Sequence, residues 1–220
     1  MKKYMHVLKK CALFAGIEEE NLYGMLQCLG AEIKSVDKNQ PVFLEGDAAQ
    51  YVGIVLSGAV MVVKEDYYGN RSVMGNVGIG ELFCETFSCA ELKEIPVSVI
   101  ASSESEIMLL DCRRVVTSCG NACLFHSQII HNLLRVMAMK NLQLNRKIEI
   151  TSKRTTREKV MAFLLEQAKV HDSNRFTIPY DRQELADYLG VERSAMSAEI
   201  GKLCKEGRIA CRRSEFELLR

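Results

Sequence analysis

Between residues 31 and 111 the apolar positions fall into short runs of Val, Ile, Met and Phe with a period near two, punctuated by glycine. "AEIKSV", "VFLEGD", "YVGIVLSGAVMVVKED", "NRSVMGNVGIGE" and "PVSVIASSESEIMLLD" each read as one or two strands, with glycines 46, 58, 69, 75, 78 and 80 between runs. Asp37-Lys38-Asn39-Gln40-Pro41 predicts a turn, and Tyr68-Gly69-Asn70 a hairpin turn between "VMVVKEDY" and "RSVMGNV". Seven or eight short strands at this spacing predict an antiparallel β-roll, or jelly roll. Ahead of them, residues 5–29 predict short helical runs broken at Gly16.

After Asp111 the period changes. No Gly or Pro interrupts Asn121 to about Ile150, and Ile130, Leu134, Met137, Asn141, Leu144 and Ile148 recur at alternating steps of four and three. That is an a/d seam of nearly three heptads with one Asn in it. Such a helix either lies along its own roll or pairs with a second copy, Asn141 fixing the register across the axis. A length of about 45 Å favours the dimer, being more than so small a domain covers. "TSKRTT" then predicts a polar, basic hinge, "REKVMAFLLEQAKV" an amphipathic helix and "FTIPY" a short strand.

The last forty residues carry the sharpest local signal. Asp181 is placed as an N-cap, with Gln183 and Glu184 in the first turn after it. Ala186 four residues before Gly190 lets two helices approach, Gly190 turns the chain at positive φ, and Leu185, Leu189, Val191, Met196, Ile200 and Leu203 fill the wedge. A second helix starting near Arg193 presents Arg193, Ser194, Ser197 and Ala198 outward, and "GRIACRR" with "FELLR" predicts a two-stranded wing.

Composition narrows the class. The chain has 220 residues, 48% apolar and 26% charged, enough for ordinary cores in two modest domains. The net charge of +1 divides unevenly, since residues 151–220 hold 14 basic and 11 acidic side chains. That tilt alone does not identify a nucleic-acid binder. Nine cysteines with no C-x2-C pair predict reduced thiols in a cytoplasmic protein rather than a zinc knuckle or an iron–sulfur run. Lys9 and Lys10 interrupt the N-terminal apolar residues before a secretory signal can form, and no run is long enough to span a bilayer. The four histidines, His6, His126, His131 and His171, all lie outside the strand region, so neither a cupin-type metal enzyme nor a haem site is predicted.

"FLEGD" and "VLSGAV" in the strands, the long helix, and "RQELADYLGVERSAMS" in the tail resemble the CRP/FNR family of bacterial transcription regulators over nearly the whole chain. The resemblance implies an α+β protein: a cyclic-nucleotide-binding-like β-roll over 1–120, a dimerisation helix over 121–150 and a winged helix-turn-helix over 151–220. It puts Arg193 on a base-contacting position, where a guanidinium can bond guanine O6 and N7 together. Ser194 and Ala198 stand where the family often has an acidic and a basic residue, so a different operator preference is expected. Gln183, Ser197, Lys202 and Arg212 complete the expected DNA-binding set, with Lys205, Arg208 and Arg213 as further phosphate contacts.

The same resemblance bears on "GELFCETFSC" and "EIPVSV" (residues 80–89 and 94–99). In cyclic-nucleotide sensors of this fold, a glutamate here takes the ribose hydroxyl and an Arg-Ser pair takes the phosphate. Glu85 stands at about the glutamate position, but Ile95-Pro96 replaces Arg-Ser, with Glu91 and Glu94 nearby. A phosphate held there without its cation forfeits roughly 1.5–3 kcal/mol. The expected pocket comprises Glu81, Leu82, Cys84, Glu85 and Val97, closed by Asn141, Leu144 and Asn145 of the long helix, and it does not take cAMP. The iron–sulfur-sensing members carry an N-terminal cysteine cluster, and only Cys11 is near that end. Cys84 with Cys89, or Cys119 with Cys123, leaves a thiol-switched regulator as an alternative; a ligand-binding module that has lost DNA binding is another. No cofactor is expected. The expected partners are double-stranded DNA, a second copy, a small effector and RNA polymerase, without a membrane.

Overall fold

The alternating apolar runs fold as eight antiparallel strands: β1 (Glu32–Val36), β2 (Pro41–Phe43), β3 (Tyr51–Ser57), β4 (Val60–Glu65), β5 (Arg71–Val77), β6 (Leu82–Phe83), β7 (Ser98–Ala101) and β8 (Ser105–Asp111). The computed structural model describes residues 2–65, 67, 71–117 and 124–219. The expected turn at Tyr68-Gly69-Asn70 and the Cys119/Cys123 pair lie outside them. The chain divides into two units, Met1–Ala138 and Met139–Arg220.

In the first unit the strands form two four-stranded sheets, ordered β1-β8-β3-β6 and β2-β7-β4-β5. This is the double-sheet jelly roll that the strand count predicts. β3 belongs to two cores at once: Val52, Ile54 and Leu56 face one cluster while Val55 faces the other. The cluster between the sheets holds Phe43, Val60, Phe83, Val99 and Ile107. A close approach fixes one of its walls, because a Cβ on Gly53 would lie 2.1 Å from Phe83 Cζ.

The opposite face of the β1-β8-β3-β6 sheet is covered by N-terminal helices, α1 (Met5–Leu8) and α2 (Glu19–Cys28), with Leu13 and Phe14 between them. Gly16, at φ 78°, provides the break expected there. After two short helices, α3 (Glu85–Cys89) and α4 (Cys112–Val116), comes the long helix α5 (Leu124–Thr151). Its first turns bury Ile129 and Leu133 in the N-terminal cluster. Asn132, 4% exposed, donates its amide to the carbonyls of Leu13 and Ala15 at 2.9 and 2.8 Å. Those bonds satisfy backbone oxygens that would otherwise be buried without a donor.

In the second unit α5 ends at Thr151, and "TSKRTT" breaks the helix as predicted. α6 (Thr156–Val170) restarts on a capping box in which Thr155 and Glu158 exchange hydrogen bonds. The strand expected in "FTIPY" lies slightly earlier, as β9 (Arg175–Thr177), and α7 (Arg182–Leu189) and α8 (Arg193–Lys205) follow it. The wing, β10 (Ile209–Arg212) and β11 (Glu215–Leu218), extends beyond the two strands predicted, because β9 pairs with β11 to make a sheet ordered β10-β11-β9. The pairing sets Phe176 opposite Phe216, their rings stacked at 6.5 Å. Phe163, Leu164, Leu185, Met196, Ile200 and Leu203 fill the core beneath.

Candidate nucleic-acid interface and effector site

The interface is built by the turn between α7 and α8. Asp181 caps α7 and exchanges bonds with Glu184 in a capping box. Gly190 ends the helix at φ 59°, a left-handed conformation that a Cβ disfavours. From α6, Lys159 Nζ reaches the carbonyls of Leu189 and Gly190 at 3.3 and 3.4 Å, placing a cation on the negative end of α7. Leu185, Ala186, Leu189, Met196, Ile200 and Leu203 are buried, and Val191 is half-buried, so the predicted wedge forms. The opposite side of α8 exposes Arg193, Ser194, Ser197, Ala198 and Lys202 to solvent.

These side chains differ in how free they are. Arg193 makes no hydrogen bond or ion pair among the described residues, so its guanidinium is available. Ser194 is engaged: its hydroxyl and the Oε2 of Glu192 are in hydrogen-bond contact, and that oxygen also accepts from the backbone N–H of Ser194 (2.8 Å) and Ala195 (3.2 Å). Gln183 donates to Asp187 at 2.9 Å, and Lys202 is paired with Glu199 at 2.6 Å. Arg212 is exposed on β10. Glu192, which the sequence reading did not single out, is the N-cap of α8. The signal for it was a carboxylate directly before the first helical residue.

The cysteines find partners across the fold. Cys89 Sγ lies 3.6 Å from Cys112 Sγ, and Cys204 Sγ lies 3.4 Å from Cys211 Sγ. The hydrogen bond from the Cys112 thiol lowers Cys89, and the same bond, with burial, raises Cys112. Burial pushes the Cys11 thiol up to about 11. Neither close pair was readable from spacing along one helix, because each joins two elements. His126 on α5 is buried with Nε2 3.9 Å from Cys28 Sγ. No group of three or more His, Cys, Asp and Glu able to hold a metal occurs among the described residues.

The expected effector residues divide between the two units. In the first, Leu82, Cys84, Glu85 and Val97 are buried, while Glu81 is exposed and its Oε2 accepts from the Gly78 N–H at 2.7 Å. Cys84 caps the short α3 at φ 61°, left-handed backbone that a side chain rarely adopts. Glu85 is 2% exposed. Ile95, expected to stand where the family's Arg-Ser pair would, is 1% exposed and belongs to the apolar cluster between the sheets. Its backbone is fixed too: its N–H donates to Asp47 at 2.7 Å and its carbonyl accepts from Gly46 at 2.9 Å. Asn141, Leu144 and Asn145 belong to the second unit and are exposed, with Asn145 donating to Asn141 at 2.9 Å. A cleft of about 570 Å³ opens in the second unit, bounded by residues that include Tyr180, Arg182 and Arg213.

Comparison with known proteins follows the same division. The family model "Crp-like helix-turn-helix domain" matches residues 158–220, and "Cyclic nucleotide-binding domain" matches residues 33–116. The chain is 24% identical to the cyclic AMP receptor protein of Thermus thermophilus over 200 residues, covering 91% of this chain and 88% of that protein. It is 22% identical to the transcriptional activator protein FnrA of Stutzerimonas stutzeri over 191 residues, covering 84% and 76%. Among solved structures, the c-di-GMP-responsive global regulator CLP of Xanthomonas campestris superposes with a TM-score of 0.63 at 20% identity, covering 90% of this chain and 99% of that one.

The cap on α8 has a measurable consequence. Hydrogen bonds from the Ser194 hydroxyl and the Ala195 and Ser194 N–H groups hold the Glu192 carboxyl below its usual range. A lowered folded value means that the cap's stabilisation is fully present above the unfolded value of about 4.3. It is lost as pH falls through the lower folded value. Glu192→Gln should therefore unfold more easily than the parent at about pH 6, with the difference shrinking towards about pH 3. Urea midpoints at the two pH values measure it. An equal difference at both would mean the charge is not what caps the helix.

Proposed function

We propose that this chain, which belongs to the CRP/FNR family of DNA-binding transcription regulators, works as a homodimer that reads an operator through Arg193 and responds to a small effector other than cAMP. The observation that carries the reading is the exposed first turn of α8, where Arg193 is unengaged on a helix whose other side is locked in the core. A helix seated this way enters the major groove with its N-terminal residues against base edges. Ser197 and Ala198 flank Arg193 on the same side, Ala198 offering only a methyl, which suits thymine. Lys202, Lys205, Arg208 and Arg212 bind phosphates, with Lys202 released from Glu199 to do so. Gln183 and Ser194 serve as secondary contacts, since each is already bonded to a neighbour.

The dimer reading rests on α5. Leu134, Leu144 and Ile148 are exposed on one row of the helix, with Asn141 between them. Such a row of large apolar side chains in water favours a matching surface, and a second copy presents one with the same heptad phase. Ile130 and Met137, the other apolar members of the seam, are half-buried. In functional terms the parts are 1–120 as sensor, 121–150 as dimer helix and 151–220 as reader, with cytoplasmic location and RNA polymerase as a partner following from the regulatory role.

The effector reading rests on Ile95. The relatives are named for cyclic AMP in one case and c-di-GMP in another, so the family does not fix the ligand. Here the expected phosphate position is an apolar side chain already packed into the core, near Glu91 and Glu94 in sequence, and Lys64 Nζ at this position donates to the Pro96 carbonyl at 3.2 Å. A ligand that uses Glu81, Leu82, Cys84, Glu85 and Val97 is neutral, cationic, or an anion held elsewhere. It regulates only through unequal affinity for two states, worth about 1–3 kcal/mol.

Three measurements test these parts separately. On an operator recovered by selection from random DNA, Arg193→Ala should cost about 1–3 kcal/mol and relax preference at one base pair per half-site. Lys202→Ala should weaken all sequences alike and flatten the salt slope. Equal, non-selective losses from both would reduce Arg193 to a phosphate contact. In sedimentation, Leu134→Asp with Leu144→Asp should give monomers; a double variant still dimeric at micromolar concentration would sink the seam. Calorimetry with cAMP and with cGMP should detect no binding tighter than about 10 µM. Tighter binding would mean that a cation for the phosphate has been overlooked.

A further inference from the structure

Two thiol pairs lie at similar separations in this chain, and their surroundings are opposite in charge. Cys89 and Cys112 are neighboured by carboxylates, with Glu85 near the first and Asp111 and Glu91 near the second. Cys204 and Cys211 sit beside a cation. Arg182 Nη2 donates to Cys211 Sγ at 3.6 Å, and its guanidinium lies 5.1 Å above the Phe216 ring. Its other terminal nitrogen, Nη1, is buried without a hydrogen-bond partner among the described residues. A buried guanidinium nitrogen left without an acceptor is costly.

The fold explains how the pair forms. Cys204 is in the last turn of α8, Gly207 reverses the chain at φ 69°, and Cys211 returns on β10. Seven residues of sequence separation thus become 3.4 Å between sulfurs. Both residues are partly exposed, so solutes reach them. A disulfide requires the sulfurs to close to about 2.05 Å, a shift of roughly 1.4 Å that side-chain rotation and the end of a helix can supply.

We propose that Cys204, Cys211 and Arg182 form an oxidation site for hydroperoxides, at which the two cysteines close a reversible disulfide between the end of α8 and the first wing strand. Cys211, next to the guanidinium, attacks as thiolate the terminal oxygen of the hydroperoxide. The O–O bond breaks, the departing alkoxide takes a proton to leave as alcohol, and Cys211 becomes a sulfenic acid. Cys204 gives up its proton, its sulfur attacks Cys211 Sγ, and the hydroxyl leaves with that proton as water. Two thiols and one hydroperoxide yield one disulfide, one alcohol and one water, with two electrons passing from the sulfurs to the O–O bond. Burial and the hydrogen bond to Cys211 raise the Cys204 thiol, which suits the partner that holds its proton until the second step.

The test uses the full chain and hydrogen peroxide, followed by alkylation, tryptic digestion and mass spectrometry. The expected product is a peptide pair joined through Cys204 and Cys211, two hydrogens lighter than the thiols and separated by dithiothreitol. Cys204→Ser should stop at a sulfenic acid on Cys211 that a cyclic diketone traps. Arg182→Lys keeps the charge and should retain the reaction, whereas Arg182→Met should slow it about fivefold or more. Circular dichroism of each variant separates lost chemistry from lost fold. A bridge mapped only to Cys89 and Cys112, or no Cys204–Cys211 bridge when half of the thiols have been oxidised, would overturn the assignment. So would an unchanged rate in a folded Arg182→Met protein.

Discussion

One unbroken helix has to serve both units, and its unequal burial is the constraint on which the other features turn. In α5 the first turns are held by Ile129, Leu133 and the two carbonyl bonds of Asn132, so that end of the helix is fixed to the N-terminal segment. Past Ala138 the support is thin. From Asn141 to Arg146 every residue is exposed, and burial returns only at Ile150 in the second core. A 28-residue helix is long enough to hold its own hydrogen bonds, but its stability in water comes mainly from a covered apolar face. Leu144 and Ile148 have no such cover among the described residues. The proposed dimer is the arrangement that removes this cost.

In the first unit any ligand would have to compete with packing. β3 is shared by two cores, with both of its faces packed. The interior between the sheets is occupied by Phe43, Phe83 and Ile95 rather than by polar groups. Burying an anion there would add a desolvation penalty, and the cation at this position, Lys64, already donates to the Pro96 carbonyl at 3.2 Å. The polar features that remain are at the edge: Glu81 tied to Gly78, buried Glu85, and the left-handed Cys84.

Local chemistry in the sequence foretold local structure well. The period-two runs gave the strands of the roll, Gly190 gave the turn, and Asp181 gave the cap. Failures came where the outcome depended on pairing between distant segments. β6 is two residues long, too short for any period, and exists because Leu82 and Phe83 pair with Ile54 and Gly53. β9 joins the wing because Phe176 stacks on Phe216, about forty residues downstream. The cysteine partners were missed for the same reason. A spacing of i,i+4 or i,i+5 suggested contacts on one element, whereas Cys89 meets Cys112 and Cys204 meets Cys211 across elements. The exposed face of α8 was legible as positions but not as states, since sequence does not reveal that Ser194 is held by Glu192 and Lys202 by Glu199.

Those states constrain how the recognition helix meets DNA. A helix N-terminus ordinarily offers free N–H groups and partial positive charge to a phosphate. In α8 the Glu192 carboxylate already accepts from Ser194 and Ala195, so that end is neutralised and would repel a phosphate drawn close to it. On the proposed reading, phosphate contacts would fall to side chains further along, Lys202, Lys205 and Arg208, and to Arg212 on the wing. Arg193, adjacent to the capped end, would keep its fork for a base edge on the same reading. The acidic cap would then cost affinity in general and leave selectivity to the proposed base contact of Arg193.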